Sequence, residues 1–503
     1  MTPAVPFRSA RRLLGAVWFW PALAMFFVGV YRLSGPELWR DEVSSWSAAT
    51  RGLGDLLRML QHVDASNGAY YVVLHGWTEL FGDSPAALRL PSVLAMAGAA
   101  AFTALTAQRM FDSRVAAVAA GLLLATVPNI SRYAQEARSY ALVTCAVAAS
   151  TWLLLRALDR PGIGRWAAYS GCLAAAGVAH LISFSTVGGQ LALVLLHLWR
   201  TRAARQRRLL WQYPLAVVAA LVPAAPVIVL GGRQSERQLG WIPAPTLYRL
   251  RTFGDQLFGS PAVLYGFLAL AVLALAWPGR RLASVQLLLL ATVPVAVVWL
   301  ASHGGTSYFI DRYLLFTLPA WAALAGGGVA ALHAFSRRWA PAPLCAALAV
   351  AVVAASAVLS APAQREVRTV DSHEPDEDYR GAAALVAAGY RPGDGLAASG
   401  GESSWAMVGP GVSYYLPDRV RPYPVFVARS AAHAADLYPV ECPAAAECLG
   451  HGDRIWLVTL GTDEDQFQSL APDQVRALRG GYTASEVRRI RGITVTLLTR
   501  TGA

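Results

Sequence analysis

The sequence predicts an all-α bundle of membrane-spanning helices followed by a small α/β domain, and three observations predict it. Of 503 residues, 55% are hydrophobic and only 15% charged, with a mean hydropathy of +0.41, a balance outside that of soluble domains. Apolar runs of about 20 residues, the length that crosses a bilayer, recur along the chain and are bounded by charge, Pro or Gly. After about residue 361 the chain becomes more acidic, and short strand-like runs replace the long apolar ones. The boundary expected from this change separates a transmembrane module, residues 1–360, from a soluble domain, residues 361–503.

The first apolar run, about 13–32, follows arginines at 8, 11 and 12, the layout of a signal peptide. It has no small-residue cleavage site and is long enough to span, so it reads as the first transmembrane helix. Further spans are expected at about 86–108, 115–130, 140–157, 166–182, 184–199, 210–230, 261–277, 283–301, 313–332 and 342–360, which makes eleven. The segment Tyr70 to Phe81 is excluded. It is only about a dozen residues long and is interrupted by His75 and Glu79, which fits an interfacial or re-entrant helix.

The net charge of +12 comes entirely from arginine, since no lysine is present. Arg109/Arg114, Arg156/Arg160/Arg165, Arg200/Arg202/Arg205/Arg207/Arg208, Arg280/Arg281 and Arg337/Arg338 fall in alternate loops between apolar runs. That placement argues against a nucleic-acid-binding face and marks those loops, with the N-terminus, as cytoplasmic. The opposite set is then extracytoplasmic: about 33–85, 131–139, 231–260, 302–312 and the tail. The expectation is a multi-pass protein of the plasma (inner) membrane with its N-terminus inside and its C-terminal domain outside. Cys442 and Cys448 lie six residues apart in that external tail, where a disulfide is the expected state, with two free thiols as the alternative. Cys145, Cys172 and Cys345 sit in apolar runs as small hydrophobes.

Charge near the external surface marks where chemistry could sit. Trp39-Arg40-Asp41-Glu42 follows the first span. Its acids could cap a short helix, with Asp41 as the capping residue, or supply a general base at the edge of an apolar cavity. The short loop Ser131 to Tyr140 carries Arg132, Glu136 and Arg138, and Arg132 and Glu136 would share a helical face at i, i+4. A structural ion pair would explain them, but charge held at a bilayer boundary marks a site by default. His180 ends a span, Trp241 stands in the fourth external loop, and Asp311-Arg312-Tyr313 opens the tenth span. An arginine entering a helix from outside can hold a phosphate in bidentate fashion, or merely snorkel to the interface.

In order and type these residues resemble the GT-C superfamily, in particular the relatives of protein O-mannosyltransferases, lipid A aminoarabinose transferases and lipopolysaccharide-core transferases. The resemblance runs over about residues 13–330 and is carried by Trp39 to Glu42, Leu80 to Leu90, Gln135 to Tyr140, Ala179-His180 and Asp311 to Leu314. It implies an inverting hexosyl- or pentosyltransferase, taking mannose or a similar sugar from a polyprenyl-phosphate donor to a lipid or polysaccharide acceptor. Asp41 and Glu42 would be catalytic, with Asp41 the leading base. Arg40, Arg132, Glu136, Arg138, Tyr140, His180, Trp241, Arg312 and Tyr313 would bind substrates, Arg312 holding the departing lipid phosphate. The external β-trefoil of protein O-mannosyltransferases is not evident, which disfavours a protein acceptor. No cofactor is implied; the acids could hold a divalent metal, but the resembled families mostly work without one. The competing reading is a lipid-linked sugar transporter or flippase, which would share the spans and arginines. A third treats the bundle as an anchor presenting the tail to a partner.

Overall fold

The computed structural model describes residues 15–201, 208–370, 372, 377–450, 452–467 and 469–502. The arginines at 8, 11 and 12, the first two residues of the first expected span, and Arg202, Arg205 and Arg207 lie outside the described residues. The chain divides into two compact units. One comprises Met1–Leu33, Asp64–Tyr70 and Arg89–Val367, and the other Ser34–Val63, Tyr71–Leu88 and Arg368–Ala503.

The first unit is helical, and each expected span falls on a helix. Seven segments are long and apolar enough to cross a membrane: Pro85–Phe111, Tyr140–Asp159, Leu181–Arg200, Leu209–Ser235, Arg281–Ala301, Asp311–Ser336 and Ala342–Glu366. Two bent pairs, Arg114–Thr126 with Pro128–Ala134 and Leu247–Phe258 with Pro261–Ala276, raise the number to nine among the described residues if each pair is one span. Phe19–Val30, with 12 residues, falls short of the length that hydrocarbon demands, while Ile163–Ala179, with 17, stands at its lower limit. The expected eleven therefore includes one helix that does not span by length alone. The excluded segment forms a separate 14-residue helix, Gly68–Phe81.

Burial sorts these helices. The segment Asp311–Ser336 is 89% buried over its apolar window and runs through the centre of the unit, whereas Ala342–Glu366 is 11% buried and keeps its Val and Leu side chains outward, toward lipid. Three consecutive glycines let the central helix approach its neighbours closely. A Cβ at Gly326 would stand 2.6 Å from the Ala116 carbonyl oxygen, one at Gly327 2.2 Å from the Phe111 ring, and one at Gly328 2.1 Å from the Leu270 carbonyl oxygen. Small residues at such crossings supply the dispersion contacts that hold helices together in lipid. Gly328→Ala meets backbone, which cannot rotate away, and is expected to cost about 1–3 kcal/mol. Thermal unfolding in detergent, with Gly266→Ala as the open-space control, measures that loss.

The second unit carries a five-stranded sheet. Its strands are β1 Gly395–Ala398, β2 Tyr423–Pro424, β5 Arg454–Leu460, β6 Tyr482–Ile490 and β7 Ile493–Arg500, in the order β2-β1-β5-β7-β6, and β3 Val427–Arg429 pairs with β4 Val440–Glu441 in a separate ladder. β2, β1 and β5 are parallel, and β5, β7 and β6 antiparallel. Ile455, Trp456, Leu457 and Val458 of β5 are all buried, the continuous apolar run of a strand covered on both faces. β6 closes one edge with Glu486, Arg488 and Arg489, charges that discourage further pairing. Cys442 and Cys448 are joined by a disulfide with Cα atoms 6.3 Å apart.

The same unit contains the loop after the first helix. Arg380 N–H donates to Glu37 Oε1 at 2.6 Å, Leu38 N–H to the Tyr415 hydroxyl at 2.8 Å, and Arg51 Nη1 to the Asp436 carbonyl at 2.7 Å. Trp46 stacks edge-on to Tyr414 with centroids 5.0 Å apart, and both reach Asp83, Trp46 Nε1 donating to Oδ2 at 2.8 Å and the Tyr414 hydroxyl to the carbonyl at 2.9 Å. The first loop and the tail thus build one folded body.

Candidate active site

Three interruptions of regular helix assemble a cluster of charge in the first unit. The first is the bend of 71° where Pro128 opens a new helix; proline suits that first turn because its missing N–H would have had no partner there. After this short helix the chain stays irregular from Gln135 to Ser139. Gln135 Nε2 holds it by donating to the Gly29 and Tyr31 carbonyls at 2.8 and 2.7 Å, and Ser92 Oγ donates to the Glu136 carbonyl at 2.7 Å. The second interruption is His180, extended at the end of Ile163–Ala179 and followed by the 3-10 turn Leu181–Ser185. The third is the 3-10 turn Asp311–Thr317. Irregular backbone within a membrane bundle is tolerated only where protein buries it or where it lines a cavity.

The bent pairs also brace each other. Asn129 Nδ2 donates to the Gln256 and Leu257 carbonyls at 2.5 and 3.2 Å, satisfying the end of Leu247–Phe258. The chain then turns through Gly259, whose φ of +71° favours glycine and whose Cβ would lie 2.7 Å from Asn129 Oδ1.

The side chains of the three interruptions meet. The His180 and Tyr313 rings lie 4.5 Å apart, Tyr140 and His180 5.9 Å, and Tyr140 and Tyr313 6.2 Å. Glu136 is fully buried and Arg138 is 8% exposed. The charges of Asp311, Arg132, Glu136 and Arg312 all act on Tyr133, those of Arg138 and Arg312 on His180, and those of Arg312 and Arg132 on Asp311. Arg312 places its guanidinium 5.3 Å from the ring centre of the otherwise exposed Trp241. Arg132, Glu136, Arg138, Tyr140, His180, Trp241, Arg312 and Tyr313 therefore belong to one neighbourhood. An anionic group entering it would find three arginines and two carboxylates, with aromatic rings as walls.

One member of this neighbourhood, Asp311, and one buried arginine of the same unit, Arg89, lacked an assigned role in the sequence. Asp311 moderates Arg132 and Arg312, a role that adjacent charges in a row of three polar residues could have suggested. Arg89 is fully buried and donates to the Leu33 carbonyl at 2.9 Å. Its signal was an arginine embedded in an apolar run.

Arg40, Asp41 and Glu42 lie in the second unit, on the helix Arg40–Ala49. The capping position is Trp39, with no side-chain cap bond, so Asp41 is not the cap and occupies the first turn, where the helix dipole favours an anion. Glu42 is fully buried, while Asp41 is only partly so. Arg40 lies 5.7 Å from the Trp39 ring centre and 5.1 Å from that of Trp405. Among the described residues no three His, Cys, Asp or Glu side chains converge as metal ligands.

Glu37, just before this helix, also went unremarked in sequence. It is 5% exposed, and burial together with the Asp378 charge pushes its carboxyl up to about 7, against the Arg380 N–H and the charges of Arg380 and Arg491. A carboxyl whose folded value is raised binds its proton more tightly when folded. It contributes stability fully below its unfolded value near 4.5, and that contribution is lost as pH rises through about 7. The second unit should therefore lose stability between about pH 5 and 8, by on the order of 3 kcal/mol at most. Glu37→Gln should flatten that slope in thermal unfolding; an unchanged slope would assign the effect elsewhere.

Residues 69–230 match the family model described as dolichyl-phosphate-mannose-protein mannosyltransferase. ArnT from Cupriavidus metallidurans bound to undecaprenyl phosphate superposes with a TM-score of 0.59 at 15% identity, over 95% of this chain and 97% of that one. Its apo form gives 0.59 at 16%, over 98% of each chain. No curated protein matches the sequence. The matched segment, which carries Arg132, Glu136, Arg138, Tyr140 and His180, is similar to that mannosyltransferase family. The fold of the chain is that of lipid A aminoarabinose transferase.

Proposed function

We propose that the chain moves a sugar from a polyprenyl-phosphate donor to a lipid or polysaccharide acceptor at the external face of the plasma membrane, with inversion at the anomeric carbon. The observation that carries this is the cluster of Arg132, Glu136, Arg138, Asp311 and Arg312, set at helix interruptions of an apolar bundle and walled by Tyr140, His180 and Tyr313. Such a site suits a lipid whose head carries a sugar and a phosphate. The undecaprenyl phosphate bound by the similarly folded ArnT supports a donor of that type.

In this reading Asp41 takes the proton of an acceptor hydroxyl as its oxygen attacks the anomeric carbon, and the bond from that carbon to the phosphate oxygen breaks. Charge then builds on the phosphate, where Arg312, backed by Arg132 and Arg138, stabilises it more than in the ground state. Glu136 and Tyr313 position the acceptor and the sugar, and His180 packs on Tyr313 to hold it. The loops carrying these groups face outward and the N-terminus stays inside, as the arginine distribution requires.

Purified protein given polyprenyl-phosphate-linked mannose or pentose should release polyprenyl phosphate in step with glycosylated acceptor. Movement of intact donor across a vesicle membrane without release would make the protein a transporter instead.

A further inference from the structure

The second unit holds a cavity of about 280 Å³ to which the transfer chemistry assigns no part. It lies beyond the carboxyl ends of the parallel strands β1 and β2, between Ala398 to Gly400 on one side and Pro424 to Val427 on the other. Open α/β sheets bind small molecules in such crevices because the loops leaving neighbouring strands diverge there. Its volume sits at the small end of the roughly 300–1,000 Å³ range of ligand pockets.

The walls are mainly apolar, with Met407, Val408, Val425 and Phe426 among them, and Ser404 and Ser413 supply hydroxyls. Among the described residues, Glu441 is the sole charged one in the lining. Its carboxylate is fixed in place: Gly401 N–H donates to Oε1 at 2.7 Å and Gln474 Nε2 to Oε2 at 3.0 Å. Gln474 is itself buried, and its Oε1 accepts the Ala471 N–H at 3.2 Å. A Cβ on Gly400 would stand 1.8 Å from Glu441 Oε1, so the close approach requires glycine there. Cys442, next in the chain, is tied to Cys448 by the disulfide and donates its N–H to the Phe426 carbonyl at 3.0 Å, a bond that links the segments of Glu441 and Phe426.

A carboxylate has about four acceptor positions, and these two donors leave room for more. With no arginine or histidine among the described residues of the lining, the site repels phosphates and carboxylates and favours a small ligand that donates hydroxyl hydrogens and presents an apolar face. We propose that this cavity binds one sugar residue, its hydroxyls donating to Glu441 and its C–H face lying on Met407, Val408 and Phe426. None of the groups assigned to transfer lines it, and the inference stands independently of that chemistry.

The test titrates the full-length protein in detergent with methyl glycosides of hexoses and pentoses, read by saturation-transfer NMR. Saturable binding is expected at roughly millimolar Kd. It should weaken about tenfold or more in Glu441→Gln, which removes a charge-assisted hydrogen bond. It should vanish in Ser404→Phe, which fills the cavity, and persist in Ser404→Ala. Should Glu441→Gln lower the melting temperature, the Ser404 pair carries the test alone. Absence of saturable binding by the wild type, or equal affinity in wild type and Ser404→Phe, overturns the proposal. Release of polyprenyl phosphate is expected to be unchanged in Ser404→Phe, which keeps this outcome separate from that of the transfer reading.

Discussion

Asp41→Asn is expected to reduce sugar transfer by about 10²–10⁴-fold, the range that a positioned general base contributes, while leaving the protein folded. Asparagine keeps the size of the side chain and removes its charge and basicity, at a small cost to the helix dipole. The backbone hydrogen bond from Ser45 Oγ to the Asp41 carbonyl, 3.0 Å, does not involve the replaced group. The neighbouring acid offers the contrast: Glu42 is fully buried, and Glu42→Gln should act through stability more than through chemistry. Polyprenyl phosphate released per enzyme, set beside the melting temperature of each variant, separates the two. Unchanged turnover in Asp41→Asn would remove it as the base.

The second large effect is expected at Arg312. Loss of a preorganised group facing developing charge costs about 10²–10³ in rate, and Arg312→Ala should lower kcat by that order. Arg312→Lys should recover only part of it, because an ammonium lacks the planar fork that matches phosphate and stacks less well on Trp241, 5.3 Å away in the wild type. Single-turnover kinetics and binding of polyprenyl phosphate provide the readouts. A change in KM alone would move Arg312 from transition-state stabilisation to donor binding.

Much of the fold is legible in sequence because it rests on local signals. Apolar runs of spanning length locate the helices, and the strand-like runs at Arg454 and Ile493 locate β5 and β7. The charges at 132–138 and 311–312 stand out because lipid tolerates few of them. Their gathering around Tyr133 and His180 could not be read, since it depends on a bend at Pro128 and on turns at His180 and Asp311 that bring distant segments together. Asp41 shows the limit of local rules: the helix begins at Arg40, two residues earlier than a capping aspartate would place it. Least visible was the bond between the first loop and the tail. Glu37 with Arg380, Trp46 with Tyr414 and Arg51 with Asp436 are separated by hundreds of residues and leave no periodic trace.

That last feature bears on how the protein is made. The segment Tyr71–Leu88 is translated about 280 residues before Arg368, where its partners in the second unit begin. At usual synthesis rates the interval is roughly 15 to 60 s, during which the helix carrying Asp41 has been translated without the sheet it folds with. A ribosome stalled just after residue 366 would therefore hold a chain with the residues of all its long helices and no completed second unit. Removing the tail genetically would leave the same unfinished state for good.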